Sequence, residues 1–165
     1  LIVKNNTKSE RDFMDEDFKD YVYRFHKCMQ KLDLTFDKYA KTFKLTHTNF
    51  KILLNIFFAK NISQKTLCEI LTLPKQTVNA SITYFYRKGY IKLIENPENR
   101  REKIIHFTDK GKKYSESVIS KFAEAQFKII MENRYKDMKI FIDTMEDFVE
   151  LSSNSIEKTI AELNK

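Results

Sequence analysis

Glycine and proline punctuate a polypeptide, and this chain has only two of each in 165 residues. All four, Pro74, Gly89, Pro97 and Gly111, fall in a single internal segment. Breaks, tight turns and left-handed backbone are therefore concentrated there, and the flanks on either side are expected to be mostly helix. A chain of 165 residues is also long enough to bury a real core in one domain, with room for an extension.

Inside that segment, Leu73 to Gly89 reads as a helix framed at both ends. Proline is welcome in a first turn, where its missing N–H would have had no partner, and Gly89 supplies the left-handed residue that commonly closes a helix. Val78, Ile82 and Phe85 recur at i, i+4 and i+7 and share one face. Lys75, Gln76, Asn79 and Thr83 fall mainly on the other face. Amides and hydroxyls with a single cation are the groups that read base edges in a DNA groove, whereas a merely solvated helix more often carries Glu–Lys pairs four apart. Two β-branched runs follow, Ile91–Glu95 and Lys103–Phe107, and the turn residues between them lead into Arg100 and Arg101. The order helix, glycine, strand, basic turn, strand is that of a helix-turn-helix followed by a wing.

On these residues the chain resembles the multiple antibiotic resistance regulator (MarR) family of bacterial transcription factors. Leu73 to Gly89 corresponds to the recognition helix, and Asn96-Pro97-Glu98-Asn99-Arg100-Arg101 to the wing tip. Phe107-Thr108-Asp109-Lys110-Gly111 matches the leucine-or-phenylalanine, threonine, x, x, glycine sequence that follows the wing. The likeness is close over about residues 45–113, and the flanks match only as long helices. One departure stands out: family wings often have aspartates where this chain has Asn96 and Asn99, so an ion pair to a wing arginine becomes a neutral hydrogen bond. The resemblance implies a homodimer. It also implies, as in many relatives, a small aromatic or anionic effector bound between the dimer helices and the DNA unit.

The expected fold is thus mainly α with a small β wing: residues 1–45 and 109–165 as helical dimerisation segments, and 46–108 as the winged helix-turn-helix. Phe13, Met14, Phe18, Tyr21, Val22, Phe25, Met29 and Leu32 repeat at helical spacing, making a first helix to about Leu34, with Phe36, Tyr39 and Phe43 as a possible continuation past a kink. Thr46 and Ser63 read as N-caps of the next two helices, with Phe50, Leu53, Leu54 and Phe57 inward on one and Leu67, Ile70 and Leu71 packing on the other. Cys68 reads as a buried packing thiol. Beyond the wing, Thr108 caps a long helix, and a last segment carries heptad-like seams interrupted by Ser152, Ser153 and Asn154. Apolar helices at both ends of the chain predict two chains wrapping around each other, the other arrangement being a monomer whose terminal helices pack together.

The net charge is +7 and unevenly spread. Residues 72–113 carry 10 basic and 4 acidic side chains, while residues 114–165 carry 7 and 10. The excess sits where the helix and wing are, as a phosphate backbone would require. No run of about 18 apolar residues is present, so no membrane span is expected, and the opening Leu1-Ile2-Val3 is too short an apolar run for a signal peptide. The two cysteines, Cys28 and Cys68, have neither metal-type nor disulfide-framework spacing, which points to a reducing, cytoplasmic compartment.

The expected DNA-contacting set is Lys75, Gln76, Thr77, Asn79, Thr83, Asn99, Arg100 and Arg101. Gln76 and Asn79 suit bidentate contacts to adenine, Lys75 suits guanine or phosphate, and the threonines suit phosphate or a thymine methyl. The wing arginines suit a narrow minor groove. Tyr21, Phe25, Phe36, Tyr39, Phe50 and Phe57 can line an effector pocket and equally can be plain core. Cys28, with Arg24 and Lys31 near it at i−4 and i+3, is the candidate oxidant sensor, because some relatives use a low-pKa cysteine near the chain start. Nothing points to an enzyme: there is no phosphate-binding glycine loop, His26, His47 and His106 are scattered, and neither a metal set nor a cofactor motif is present. The reading is a repressor that binds a palindromic operator and is released by a ligand or stress signal. A winged-helix module that binds another protein rather than specific DNA is the competing one.

Overall fold

The computed structural model describes residues 16–59, 61–97, 99, 102–132 and 135–164. The chain divides into two compact units, Leu1–Lys112 and Lys113–Lys165.

The first unit opens with α1, Glu16–Thr42. The first helix does not end near Leu34 but is continuous to Thr42, with the Thr35 hydroxyl donating back to the Lys31 carbonyl at 2.8 Å. Helix α2, His47–Phe58, starts at Thr46, whose hydroxyl accepts the Asn49 N–H at 3.1 Å. Helix α3, Gln64–Leu71, is capped by Ser63 in the same way, accepting from Thr66 N–H at 3.1 Å. Helix α4, Lys75–Arg87, follows after a short turn.

Helices α1, α3 and α4 close with one device. In each, a left-handed residue lets the next N–H donate to the carbonyl five residues back: Leu45 to Ala40 (3.1 Å), Leu73 to Cys68 (3.1 Å) and Tyr90 to Phe85 (3.0 Å). Only one of the three uses glycine. Gly89 has φ +67°, but Lys44 and Thr72 hold φ 57° and 50° with side chains attached. A non-glycine residue in that region costs about 1–2 kcal/mol, so the scarcity of glycine is met with strain at two helix ends.

Strands β1 (Ile62–Ser63), β2 (Ile91–Glu95) and β3 (Lys103–Phe107) form one antiparallel sheet in the order β1-β3-β2. The β2–β3 hairpin pairs Ile91 with Phe107 through to Glu95 with Lys103. The two-residue β1, too short to leave a pattern in the sequence, pairs Ile62 with Ile105 and Ser63 with Ile104. It ties the wing to the N-terminus of α3 through the buried Ile62 and Ile105.

The core of this unit is Phe50, Ile52, Leu53 and Ile56 from α2, Leu67 from α3, Val78, Ile82 and Phe85 from α4, and the sheet isoleucines. Helix α2 is turned from its expected setting: Ile52 and Ile56 are buried, whereas Leu54 and Phe57 are only half-buried. On α3 Ile70 is exposed and Cys68 is half-buried rather than sealed inside. The short α3 has room for one inward residue, and Leu67 takes it.

Helix α5, Asp109–Glu132, begins in the first unit, and α6, Tyr135–Leu163, lies wholly in the second. Ser152, Ser153 and Asn154 do not interrupt α6, which is continuous across them. Large apolar side chains stay exposed in this chain taken alone: Tyr21, Tyr23 and Leu34 on α1, Phe127 and Met131 on α5, and Phe141, Phe148, Leu151 and Ile160 on α6. Among the described residues no helix is long and apolar enough to cross a membrane.

Candidate nucleic-acid interface

Helix α4 is held by its back. Val78, Ile82 and Phe85 are buried to 2% exposure or less, and Ser81 is buried beside them with its hydroxyl donating to the Thr77 carbonyl at 3.3 Å. Pulling Phe85 out of this core would cost roughly 3–5 kcal/mol, so the helix cannot roll about its axis cheaply. Its outer face is thereby fixed: Lys75, Gln76 and Asn79 are exposed, with the small Ala80 beside them. Thr77 and Thr83 flank that face half-buried, rather than standing fully on it. Pro74 is the N-cap residue and makes no side-chain cap, so the backbone donors of the first turn of α4 are not occupied by one.

The hairpin that follows is closed at its tip by backbone bonds: Asn96 N–H to the Glu102 carbonyl (3.0 Å), Asn99 N–H to Asn96 (3.1 Å) and Glu102 N–H to Asn99 (2.8 Å). Asn99 is exposed at this tip. Arg100 and Arg101 lie outside the described residues. At the root of the hairpin the chain is latched to the end of α4. The Thr108 hydroxyl donates to the Gly89 carbonyl at 2.7 Å and accepts the Gly111 N–H at 3.0 Å, so one side chain both caps α5 and pins it. Lys110 Nζ donates to the Lys88 carbonyl at 2.9 Å and lies 5.2 Å from the centre of the Tyr90 ring.

The six aromatic residues considered for an effector differ in burial. Phe50 is fully buried in the core, with Tyr39 edge-on to it at 5.5 Å. Tyr21 is 67% exposed on α1, and Phe25, Phe36 and Phe57 are half-buried. None of them lines the clefts beside the wing or the groove on α6. Cys28 is an exposed free thiol, and Arg24, one turn before it, pairs with Asp20 at 3.3 Å. Among the described residues no three His, Cys, Asp or Glu side chains are grouped to hold a metal ion.

Sequence reasoning missed Lys65 and Lys103, which the fold brings to the same side as Lys75 around a cleft between α3, α4 and the wing. A usable signal was present: one lysine lies just after a helix cap and the other opens the strand after the basic turn.

A three-helix core that presents a polar helix, followed at once by a hairpin tied to that helix, defines a winged helix-turn-helix protein. The MarR family model matches residues 45–103, from the residue before the α2 cap to the start of β3. Over that segment the chain is similar to the MarR family, whose members are transcriptional regulators and not enzymes. It is 23% identical over 145 residues to the HTH-type transcriptional regulator BilQ of Clostridioides difficile (strain CD3), covering 80% of this chain and 98% of that relative. In fold it is similar to NMB1585, a MarR family regulator from Neisseria meningitidis, with TM-score 0.72 and 24% identity over 88% of this chain and 99% of that one. It is also similar to S. aureus MepR in its DNA-binding conformation, with TM-score 0.69 and 18% identity over 79% and 96% of the two chains.

Proposed function

We propose that this protein is a DNA-binding transcriptional regulator that acts in the cytoplasm as a homodimer on a near-palindromic operator, as a repressor released by a small effector or a stress signal. The observation that carries the reading is the disposition of α4: Lys75, Gln76 and Asn79 face solvent over a back locked by Val78, Ile82 and Phe85. A helix held this way can be laid in a major groove with its amides at the base edges, while the hairpin reaches the neighbouring minor groove. Lys75, Gln76, Thr77, Asn79 and Thr83 are the helix contacts, and Asn99, Arg100 and Arg101 the wing contacts. The structure of S. aureus MepR in a DNA-binding conformation, on the same fold, supports this use of the unit.

Dimerisation is supported by the apolar side chains left exposed along α1, α5 and α6, a density that a solvated helix does not carry. Two-fold symmetry then places two copies of α4 on one face of the duplex, with half-sites about one helical turn, ~34–36 Å, apart. Selecting bound sites from a random duplex pool tests the whole reading. A near-palindrome with half-sites about one turn apart is expected, and a pool that shows no enrichment overturns sequence-specific binding.

A further inference from the structure

We infer that Lys65, Lys75 and Lys103 form a clamp for a single DNA phosphodiester, between the recognition helix and the wing. The inference rests on the DNA-binding reading above and assigns a contact that reading did not contain. The three lysines come from three elements: the second residue of α3, the first of α4 and the first of β3. They converge on one cleft of about 320 Å³ with Leu93 in its wall and one carboxylate, Glu102. β1 produces the convergence, because its pairing with β3 draws the start of α3 up against the wing.

Charge and availability fit an anion. Lys75 and Lys103 are exposed, and among the described residues neither side chain has an ion-pair or hydrogen-bond partner. Lys65 is 3.9 Å from Glu69, with both side chains more than 60% exposed, and a contact of that kind is worth less than about 1 kcal/mol. Glu95, the cross-strand neighbour of Lys103, lines the adjoining cleft instead.

The position of the cleft selects the kind of anion. When a helix occupies a major groove and the wing beside it enters the next minor groove, one sugar–phosphate strand separates the two grooves. That strand must cross the gap between helix and wing, and the lysine-lined cleft is that gap. Contacts to phosphate fix register and carry no base information, so the clamp sets where Gln76 and Asn79 fall along the sequence without itself reading it.

The test is an anisotropy titration of a fluorescent random duplex with the full chain between 50 and 200 mM salt, comparing wild type, Lys65→Gln with Lys103→Gln, and Glu102→Gln. Each neutralised phosphate contributes about −0.9 to the slope of log K against log salt. The double variant is expected to bind at least threefold more weakly at the low-salt end, with a slope flatter by about 1. Glu102→Gln is expected to bind more tightly, a gain that a purely structural role for these residues would not give. Circular dichroism of each variant shows whether it is folded. A folded double variant with an unchanged slope overturns the clamp and leaves the DNA reading standing. A wild-type protein that binds no duplex at low salt overturns both. Calorimetric titration with inorganic phosphate is the second arm: tight phosphate binding lost in the double variant, together with an unchanged DNA slope, assigns the cleft to a free anion and also overturns the clamp.

Discussion

Gly111→Ala is expected to destabilise the protein strongly, although helix propensity alone predicts the reverse. Gly111 is the third residue of α5, where alanine would normally gain about 1 kcal/mol over glycine. In this fold a Cβ at Gly111 would stand 1.7 Å from the Tyr90 carbonyl oxygen and 2.6 Å from its carbon, both backbone atoms that cannot rotate aside. The first turn of α5 must therefore move off the end of α4 by roughly 1.5 Å to restore van der Waals contact. That movement pulls on the Thr108 N–H to Tyr90 carbonyl bond (3.0 Å), the Thr108 hydroxyl to Gly89 bond (2.7 Å) and the Lys110 to Lys88 bond (2.9 Å). Overpacking of about 1–3 kcal/mol and two or three hydrogen bonds at about 1 kcal/mol each, less the propensity gain of about 1 kcal/mol, leave a net loss of about 2–5 kcal/mol.

Gly89→Ala is the control. Nothing lies within 4 Å of its added Cβ, so only the φ of +67° opposes it, at a cost of about 1–2 kcal/mol. Urea unfolding followed by circular dichroism at one fixed protein concentration gives both numbers, since the proposed dimerisation would make apparent stability depend on concentration. A Gly111→Ala protein that is as stable as wild type, or less damaged than Gly89→Ala, refutes the close-approach argument.

Thr46→Ala removes the acceptor for the Asn49 N–H and should lower stability by about 1 kcal/mol, read as a drop in the urea midpoint; an unchanged midpoint would mean the cap contributes nothing. Lys44→Gly relieves a left-handed lysine at φ 57° and is expected to be neutral or stabilising by up to about 1 kcal/mol, where an interior-helix lysine would lose about that much. Arg100→Ala combined with Arg101→Ala should weaken binding to every duplex sequence and flatten the salt dependence; a mobility-shift series with an unchanged salt slope would remove the wing from the interface.

The parts of the fold that were legible in the sequence are those in which chemistry is local. Thr46 and Ser63 act as caps because a hydroxyl before an apolar run has few other uses, and the β2 and β3 ranges follow from two β-branched runs bounded by turn residues. What stayed hidden depends on distant partners. Ile62–Ser63 becomes a strand only because Ile104 and Ile105 lie alongside, and Lys44 and Thr72 take left-handed backbone because the following residues close their helices. The twist of α2 that buries Ile52 and Ile56 answers to α3 and α4 rather than to its own pattern, since seven of the nine residues from Phe50 to Phe58 are apolar and leave more than one face able to turn inward. For the interface, the exposed face of α4 could be read from a 3.6-residue period. The convergence of Lys65 and Lys103 on Lys75 could not, because it needs the sheet order β1-β3-β2.

The central claim is that the outer face of α4 reads bases, and Asn79→Ala tests it most directly. Anisotropy titrations at one salt concentration would compare wild type and variant on a selected operator and on a scrambled duplex of the same length. One bidentate base contact supports about 1–3 kcal/mol of discrimination, so the variant should lose roughly tenfold or more on the operator and little on the scrambled duplex. Equal losses on the two duplexes, or no loss on either, would contradict the account.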